Sequence, residues 1–339
     1  MSGQPIGIDL PRLERYLGAE LGLRGRPGVT RFTAGHSNPT YLLDYPDRQV
    51  VLRSQPAGPL LPRAHAVDRE YAIQRSLEGS GLPVPRMLAL CTDTGITGGI
   101  FYLMEYVPGR VLNDPWLPEA DPEERTPIWF ALADTLAALH AVEPDVAVFG
   151  GEQGRAGYLE RQTARWTKNY RAADVEPSAA MDEVAQWLAA QRVPEPVHRI
   201  SHGDFRLGNT VYAPDRPRVR AILDWELATT GDPCADLAYS CLPWYFSRAS
   251  GRGFAEVDRA AESLPEMRQY VDRYVEAGGA ADVERLGLFV VLSMFRTAAI
   301  LAGIRRRALD GNASNEHAVE AGERYRSVAE LARRIVEEM

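Results

Sequence analysis

The stretch that decides the fold is Ser201-His202-Gly203-Asp204-Phe205-Arg206-Leu207-Gly208-Asn209, followed after a short interval by Ala221-Ile222-Leu223-Asp224-Trp225-Glu226. Asp204 stands five residues before Asn209 and twenty before Asp224. An acid, an amide and a second acid thus recur around two short apolar strands. Phosphoryl transfer from a nucleotide needs a carboxylate that orients or deprotonates the acceptor hydroxyl, and oxygen ligands that hold Mg²⁺ against the phosphates. Asp204 fits the first role, and Asn209 and Asp224 fit the second. The step from Asp204 to Asn209 is the step from base to metal ligand in kinase catalytic loops, and Asp224 ends an apolar strand, where a second ligand is expected. Taken singly, each acid would read as a turn or cap residue. Their joint spacing gives them a common task. His202 is expected to brace the loop. Asp232 and Asp236 are read as turn and helix-start residues that anchor the site.

Upstream of this stretch the sequence is rich in strand signals. Asp9 can cap a helix from about Pro11 to Leu23, with Leu13, Leu17 and Leu21 on one face. Residues 29–44 read as two strands around the turn Gly35-His36-Ser37-Asn38-Pro39, whose backbone and Ser37 hydroxyl could lie over phosphates. Gln49 to Arg53 is a third strand, Ala64 to Leu77 a helix, and Val84 to Cys91 and Ile100 to Glu105 two more strands. In Val50-Val51-Leu52-Arg53 a cation ends an apolar strand, as the phosphate-pairing lysine does in protein kinases. Glu70, on the next helix, is its expected partner. An arginine can hold phosphate oxygens bidentately, but it is not a conservative replacement for lysine. Phe101 to Gly109 runs from strand into turn, and backbone groups from Glu105 to Val107 are candidates for the adenine edge.

Beyond Pro108-Gly109 the pattern turns helical, over Glu123 to Val142, Tyr158 to Arg171 and Met181 to Arg192. Strand signals return at His198 to Ser201, Thr210 to Tyr212 and Val219 to Leu223. From Asp236 onward only helices are expected, including a long one from about Asp282 to Leu309.

The 339 residues carry 38 Lys plus Arg against 46 Asp plus Glu, a net charge of −8 that argues against a nucleic-acid partner. Lys168 is the only lysine. Three scattered cysteines suit buried thiols in a reducing compartment. The first ten residues do not read as a secretion signal, and the apolar segment Leu286 to Ile304 is interrupted by Arg296. The expectation is a cytoplasmic protein with no membrane partner.

His-Gly-Asp with Asn at the kinase step, then Asp-Trp-Glu after an apolar strand, is similar to the aminoglycoside phosphotransferase and choline kinase group, a branch of the protein-kinase-like fold. Four further stretches most resemble the kinase-like domains that accompany some acyl-CoA dehydrogenases: Leu52-Arg53, Ala64 to Tyr71, Phe295 to Ile300 and Gly311 to Ser314. The resemblance implies an α+β, bilobal fold with a small β-rich N-lobe (1–107) and a larger, mainly helical C-lobe (108–339). It implies an ATP:alcohol phosphotransferase that uses ATP and Mg²⁺ on a small-molecule acceptor.

Three competing readings remain. A protein kinase would need His-Arg-Asp, Asp-Phe-Gly and Ala-Pro-Glu, and none is present. A nucleotide-binding module without catalysis is suggested by Arg53, although all three oxygen-bearing residues are in place. An aminoglycoside or choline-like amine kinase should line its pocket with carboxylates. Cys241 to Asp310 instead holds ten arginines against nine acidic residues. A hydroxy acid or hydroxyacyl-CoA is the preferred acceptor, with Arg206, Glu226, Trp244 and Arg296 as its candidate contacts.

Overall fold

The computed structural model describes every residue except 1–6, 33–37, 57–65, 151–156, 195–197 and 312–317. In chain order come α1 (Leu10–Leu21), β1 (Gly28–Arg31), β2 (Thr40–Asp44), β3 (Gln49–Ser54), α2 (Val67–Leu77), β4 (Met87–Cys91) and β5 (Phe101–Glu105). Next are α3 (Pro122–Ala141), α4 (Val146–Phe149), α5 (Tyr158–Ala172), α6 (Ala179–Ala190), β6 (Arg199–Ser201), β7 (Thr210–Tyr212), β8 (Val219–Ile222) and β9 (Thr229–Gly231). The chain then runs through α7 (Pro233–Ser240), α8 (Met267–Glu276), α9 (Leu286–Leu309), α10 (Ala318–Glu323) and α11 (Tyr325–Glu338).

These elements form two compact units. One comprises Met1–Leu112, Asp145–Phe149 and Leu207–Ala228, and the other Asn113–Pro144, Gly150–Arg206 and Thr229–Met339. The boundary at 107/108 marks where the sequence pattern changes. In the fold, however, the β7–β8 hairpin groups with the first hundred residues. The reason lies in its backbone. Ile222 N–H donates to the Pro83 carbonyl at 2.8 Å, and Arg110 and Tyr212 exchange two main-chain hydrogen bonds of 2.8 Å. A Cβ added at Gly109 would lie 2.2 Å from the Tyr212 carbonyl oxygen, so only glycine permits this approach.

The first unit is built on an antiparallel sheet of order β1-β2-β3-β5-β4. Alternation along β3 sends Val50 and Leu52 to one face and Val51 and Arg53 to the other. Val50 and Leu52 pack with Leu10, Leu13 and Leu17 of α1, a helix capped by the Asp9 side chain on Arg12 N–H. Val51 packs with Val67 of α2, together with Met87, Tyr102 and Met104. Val67, Glu70, Ile73, Gln74 and Leu77 form the buried stripe of α2, spaced by three and four residues. The sheet period and the helix period together put Arg53 and Glu70 on facing surfaces.

The second unit is helical, with α9 at its centre, packed against α5, α7, α10 and α11. By length and composition α9 could cross a membrane, but most of it is buried inside this unit. Trp129, Trp244, Phe254 and Tyr270 make an aromatic core with edge-on and tilted contacts. The unit's only described sheet is a two-stranded one, β6 paired antiparallel with β9. The sequence reading had no strand at Thr229–Gly231. Three residues are too few to show an alternating pattern, and the pairing with β6 is what makes them a strand. Cys91, Cys234 and Cys241 are free and buried.

Candidate active site

In the β-rich unit, Arg53 joins two carboxylates. Its Nε donates to Glu70 Oε2 at 3.0 Å and its Nη2 to Asp224 Oδ1 at 2.6 Å, while Nη1 reaches the Thr40 hydroxyl at 3.4 Å. Glu70 is fully enclosed, and burial raises its carboxyl above the usual range even though Arg53 pulls the other way. Burial works against the Arg53 charge, yet Glu70, Tyr102 and Asp224 raise its pKa overall. The expected Arg53–Glu70 pair is therefore present, and Asp224 is added to it.

Asn209 and Asp224 lie at one end of the β7–β8 hairpin. Thr210 pairs with Ile222, and Leu223 N–H donates to the Asn209 carbonyl at 2.8 Å. Asp224 takes the left-handed backbone, φ 67°, a conformation that costs energy for a residue with a Cβ. The turn it opens, Trp225–Leu227, is held by Arg69. The Arg69 guanidinium donates to the carbonyls of Phe149 and Ala228 at 2.9 and 2.5 Å, and to that of Glu226 at 3.5 Å. Sequence reasoning missed this task, because it joins residues up to 159 positions apart. As a donor set, one amide oxygen and one carboxylate suit Mg²⁺, a hard ion that completes its shell with phosphate and water. One Asp224 oxygen is already engaged by Arg53, so a metal there would share it with the guanidinium.

Glu226, expected on the acceptor side, belongs to this unit and adds negative charge near Glu70. At the end of β5, Glu105 N–H is taken by the Arg86 carbonyl at 2.9 Å, so this amide is committed to the sheet. Val107 lies beyond the strand, half-buried, with its backbone outside the ladder. Ser37 lies outside the described residues.

In the helical unit, the loop after β6 is braced by a buried carboxylate. Asp236, in the first turn of α7, accepts His202 N–H at 2.6 Å and Gly203 N–H at 2.8 Å. Gly203 has φ 80°, which leaves these two adjacent amides free to converge on one acid. His202, fully buried, accepts Asp204 N–H on Nδ1 at 3.3 Å and sets its ring edge-on to Phe205. His140 stands 3.6 Å from Asp236 on the other side. Burial alone would raise the Asp236 carboxyl. The neighbouring imidazole of His140 above all, then that of His202 and the Gly203 amide, outweigh it and hold the group below the usual carboxylate range. Asp232 caps α7 on Cys234 N–H and pairs with Arg285 at 3.0 Å.

Asp204 has Tyr239 near it and Arg206 Nε 3.5 Å away. Burial first, and Asp204 second, raise the Tyr239 phenol. Arg296 lies over the Tyr239 and Trp166 rings. Trp244, expected as an acceptor wall, is instead a member of the aromatic core, with its indole N–H donating to Pro265 O at 2.9 Å. Three consecutive aromatics carry no mark of which one faces a ligand, and this one is buried.

Residues 28–273 match the family model described as "Phosphotransferase enzyme family". A presumed aminoglycoside phosphotransferase from Ralstonia eutropha JMP134 superposes with a TM-score of 0.85 and 38% identity, over 98% of this chain and 99% of that one. Aminoglycoside phosphotransferase APH(4)-Ia, solved with AMP-PNP and hygromycin B, shares the fold at TM-score 0.61 and 18% identity, over 95% of this chain and 98% of that one. Acyl-CoA dehydrogenase family member 10 of Mus musculus is 40% identical over 331 residues, 96% of this chain and 31% of the relative. Family member 11 of Gallus gallus is 38% identical over 334 residues, 95% of this chain and 43% of the relative. The chain thus spans less than half the length of these relatives. With the kinase-step loop, the Arg53–Glu70 pair and the α+β kinase-like architecture in place, the chain belongs to the phosphotransferase enzyme family.

Proposed function

We propose that the protein is an ATP-dependent kinase that phosphorylates a hydroxyl of a small acyl metabolite, a hydroxy acid or its CoA thioester. The observation that carries the reading is the brace on the Asp204 loop: one buried acid, Asp236, accepts two successive amides, and His202 accepts the third. A loop fixed so tightly suits a base that must be aimed. The acceptor hydroxyl oxygen attacks the γ-phosphorus, the bond from that phosphorus to the β,γ-bridging oxygen breaks, and ADP leaves. The hydroxyl proton passes to the Asp204 carboxylate. Arg53 pairs with phosphate oxygens. Mg²⁺, held by the Asn209 amide oxygen and Asp224, would neutralise charge on the phosphates.

The acceptor class rests on charge and on kinship. The segment from Cys241 to Asp310 has no acidic excess to attract a polycation. Relatives 40% and 38% identical are named acyl-CoA dehydrogenase family members. A screen of hydroxy acids, hydroxyacyl-CoA thioesters, choline-like amines and aminoglycosides with labelled ATP, read by mass spectrometry, tests it. Turnover of an aminoglycoside with every hydroxy acid and thioester inert would overturn the acceptor class.

The contact of Arg53 with Asp224 favours a second reading, a module that binds nucleotide without turning it over. Binding of ATP with no consumption across the whole acceptor panel would select it.

A further inference from the structure

Arg296 is an unusual cation for its setting. It interrupts the apolar run Leu-Ser-Met-Phe-Arg-Thr-Ala-Ala-Ile of α9 and is half-buried there. Its guanidinium carbon lies 5.1 Å from the Tyr239 ring centroid and 5.5 Å from that of Trp166. Its buried Nε has no hydrogen-bond partner, and among the described residues no carboxylate stands within ion-pair distance. Two other enclosed arginines are neutralised by carboxylates, Arg53 by Glu70 and Asp224 and Arg285 by Asp232 and Asp282, and Arg69 is met by backbone carbonyls. Aromatic faces hold a cation in place but leave its N–H groups unmet, and a desolvated N–H without an acceptor is costly. The Tyr239 hydroxyl in turn lies close enough to Asp204 for that carboxylate to raise the phenol. One tyrosine side chain therefore separates the unmet guanidinium from the carboxylate that takes the hydroxyl proton.

We propose that Arg296 is the acyl anchor of the acceptor, binding its carboxylate or thioester oxygen while Tyr239 spaces that oxygen from the hydroxyl aimed at Asp204. This rests on the acyl reading of the acceptor and assigns the residue that selects it. Arg296 and Trp166 then determine specificity, and Tyr239 is a positioning residue.

A test independent of turnover uses octanoate and 1-octanol as probes, with calorimetric binding to the full chain in the presence of ADP. The wild type is expected to prefer octanoate by at least about tenfold, a margin that Arg296→Met abolishes and Arg296→Lys keeps in part. Trp166→Leu, which leaves the charge but removes one ring, should weaken octanoate by a smaller factor. Equal binding of acid and alcohol by the wild type, or octanoate binding unchanged in Arg296→Met, overturns the proposal. Where Arg296→Met does not fold, the wild-type comparison and the Arg296→Lys variant decide. A kinetic arm compares 3-hydroxyoctanoate, 3-hydroxyoctanoyl-CoA and 1,3-octanediol. KM should rise in Arg296→Lys for the acid or the thioester, whichever is the natural form, but not for the diol or ATP. A rise for all three acceptors alike overturns the assignment. If no acceptor is phosphorylated but octanoate binding depends on Arg296, the kinase reading fails and the anchor stands.

Discussion

The two units hold their charged groups in opposite ways. In the β-rich unit the cation Arg53 is shared between Glu70 and Asp224, so side-chain charges are satisfied by one another. In the helical unit the acid Asp236 is satisfied largely by backbone amides, and the cation Arg296 is held over aromatic faces with its Nε unpaired. A network of side chains can reopen when phosphate and metal arrive. A carboxylate locked on consecutive amides cannot move without unmaking the loop. On the mechanism proposed above, the difference teaches where rigidity is placed: under the base that Asp204 would supply, and away from the groups that would exchange partners during nucleotide binding.

The largest expected effect tests the rigid side. Asp204→Asn keeps the size and the main-chain contact to His202 but removes the proton acceptor. Transfer should fall by a factor on the order of 10² to 10⁴, while nucleotide affinity stays at the parent level. Parallel measurement of kcat and of ADP binding checks this, and an unchanged kcat would remove Asp204 from the mechanism. Asp224→Ala tests the exchanging side. It should raise the Mg²⁺ concentration needed for half-maximal rate and lower turnover; a metal titration that superposes on the parent's would count against the assignment.

Much of this was legible in the sequence because the decisive spacings are local. Asn209 and Asp224 fall at one end of one hairpin, so their distance along the chain stands in for their distance in space. Arg53 and Glu70 could be paired because the sheet period and the helix period predict facing surfaces. What could not be read depends on partners far along the chain. Arg69 serves carbonyls at Phe149 and Ala228, Tyr239 reaches Asp204 from α7, and β9 exists because β6 pairs with it. Trp244 failed for another reason: hydrophobic aromatics look alike whether they line a pocket or fill a core, and burial decides.

A smaller effect should come from the shared cation. Arg53→Ala leaves Glu70 buried with no guanidinium, a loss of about 3 to 5 kcal/mol by analogy with other broken buried pairs. Arg53→Lys should recover part of that stability but less of the phosphate affinity, since an ammonium cannot bridge both carboxylates as the planar fork does. Urea denaturation and competitive binding of ATP against adenosine separate the two. If Arg53→Ala weakens both ligands equally, Arg53 does not contact phosphate.

The smallest effect is also the one that sets the two units directly against each other, because Glu70 and Asp236 are shifted in opposite directions. Asp236 ionises more readily folded than unfolded, so the stability it adds is present above its unfolded pKa and is lost as pH falls through its lower folded value. Glu70 ionises less readily folded, so its contribution is present below its unfolded pKa and is lost as pH rises through its higher folded value. Asp236→Asn and Glu70→Gln remove the titrations one at a time. Denaturation curves between about pH 3 and pH 7 should show the wild-type advantage over Asp236→Asn growing with pH, and the difference from Glu70→Gln shrinking. Differences that move in the same direction for both variants would mean that the two acids share one environment, and the contrast between a mutually neutralised cluster and a backbone-held acid would have to be abandoned.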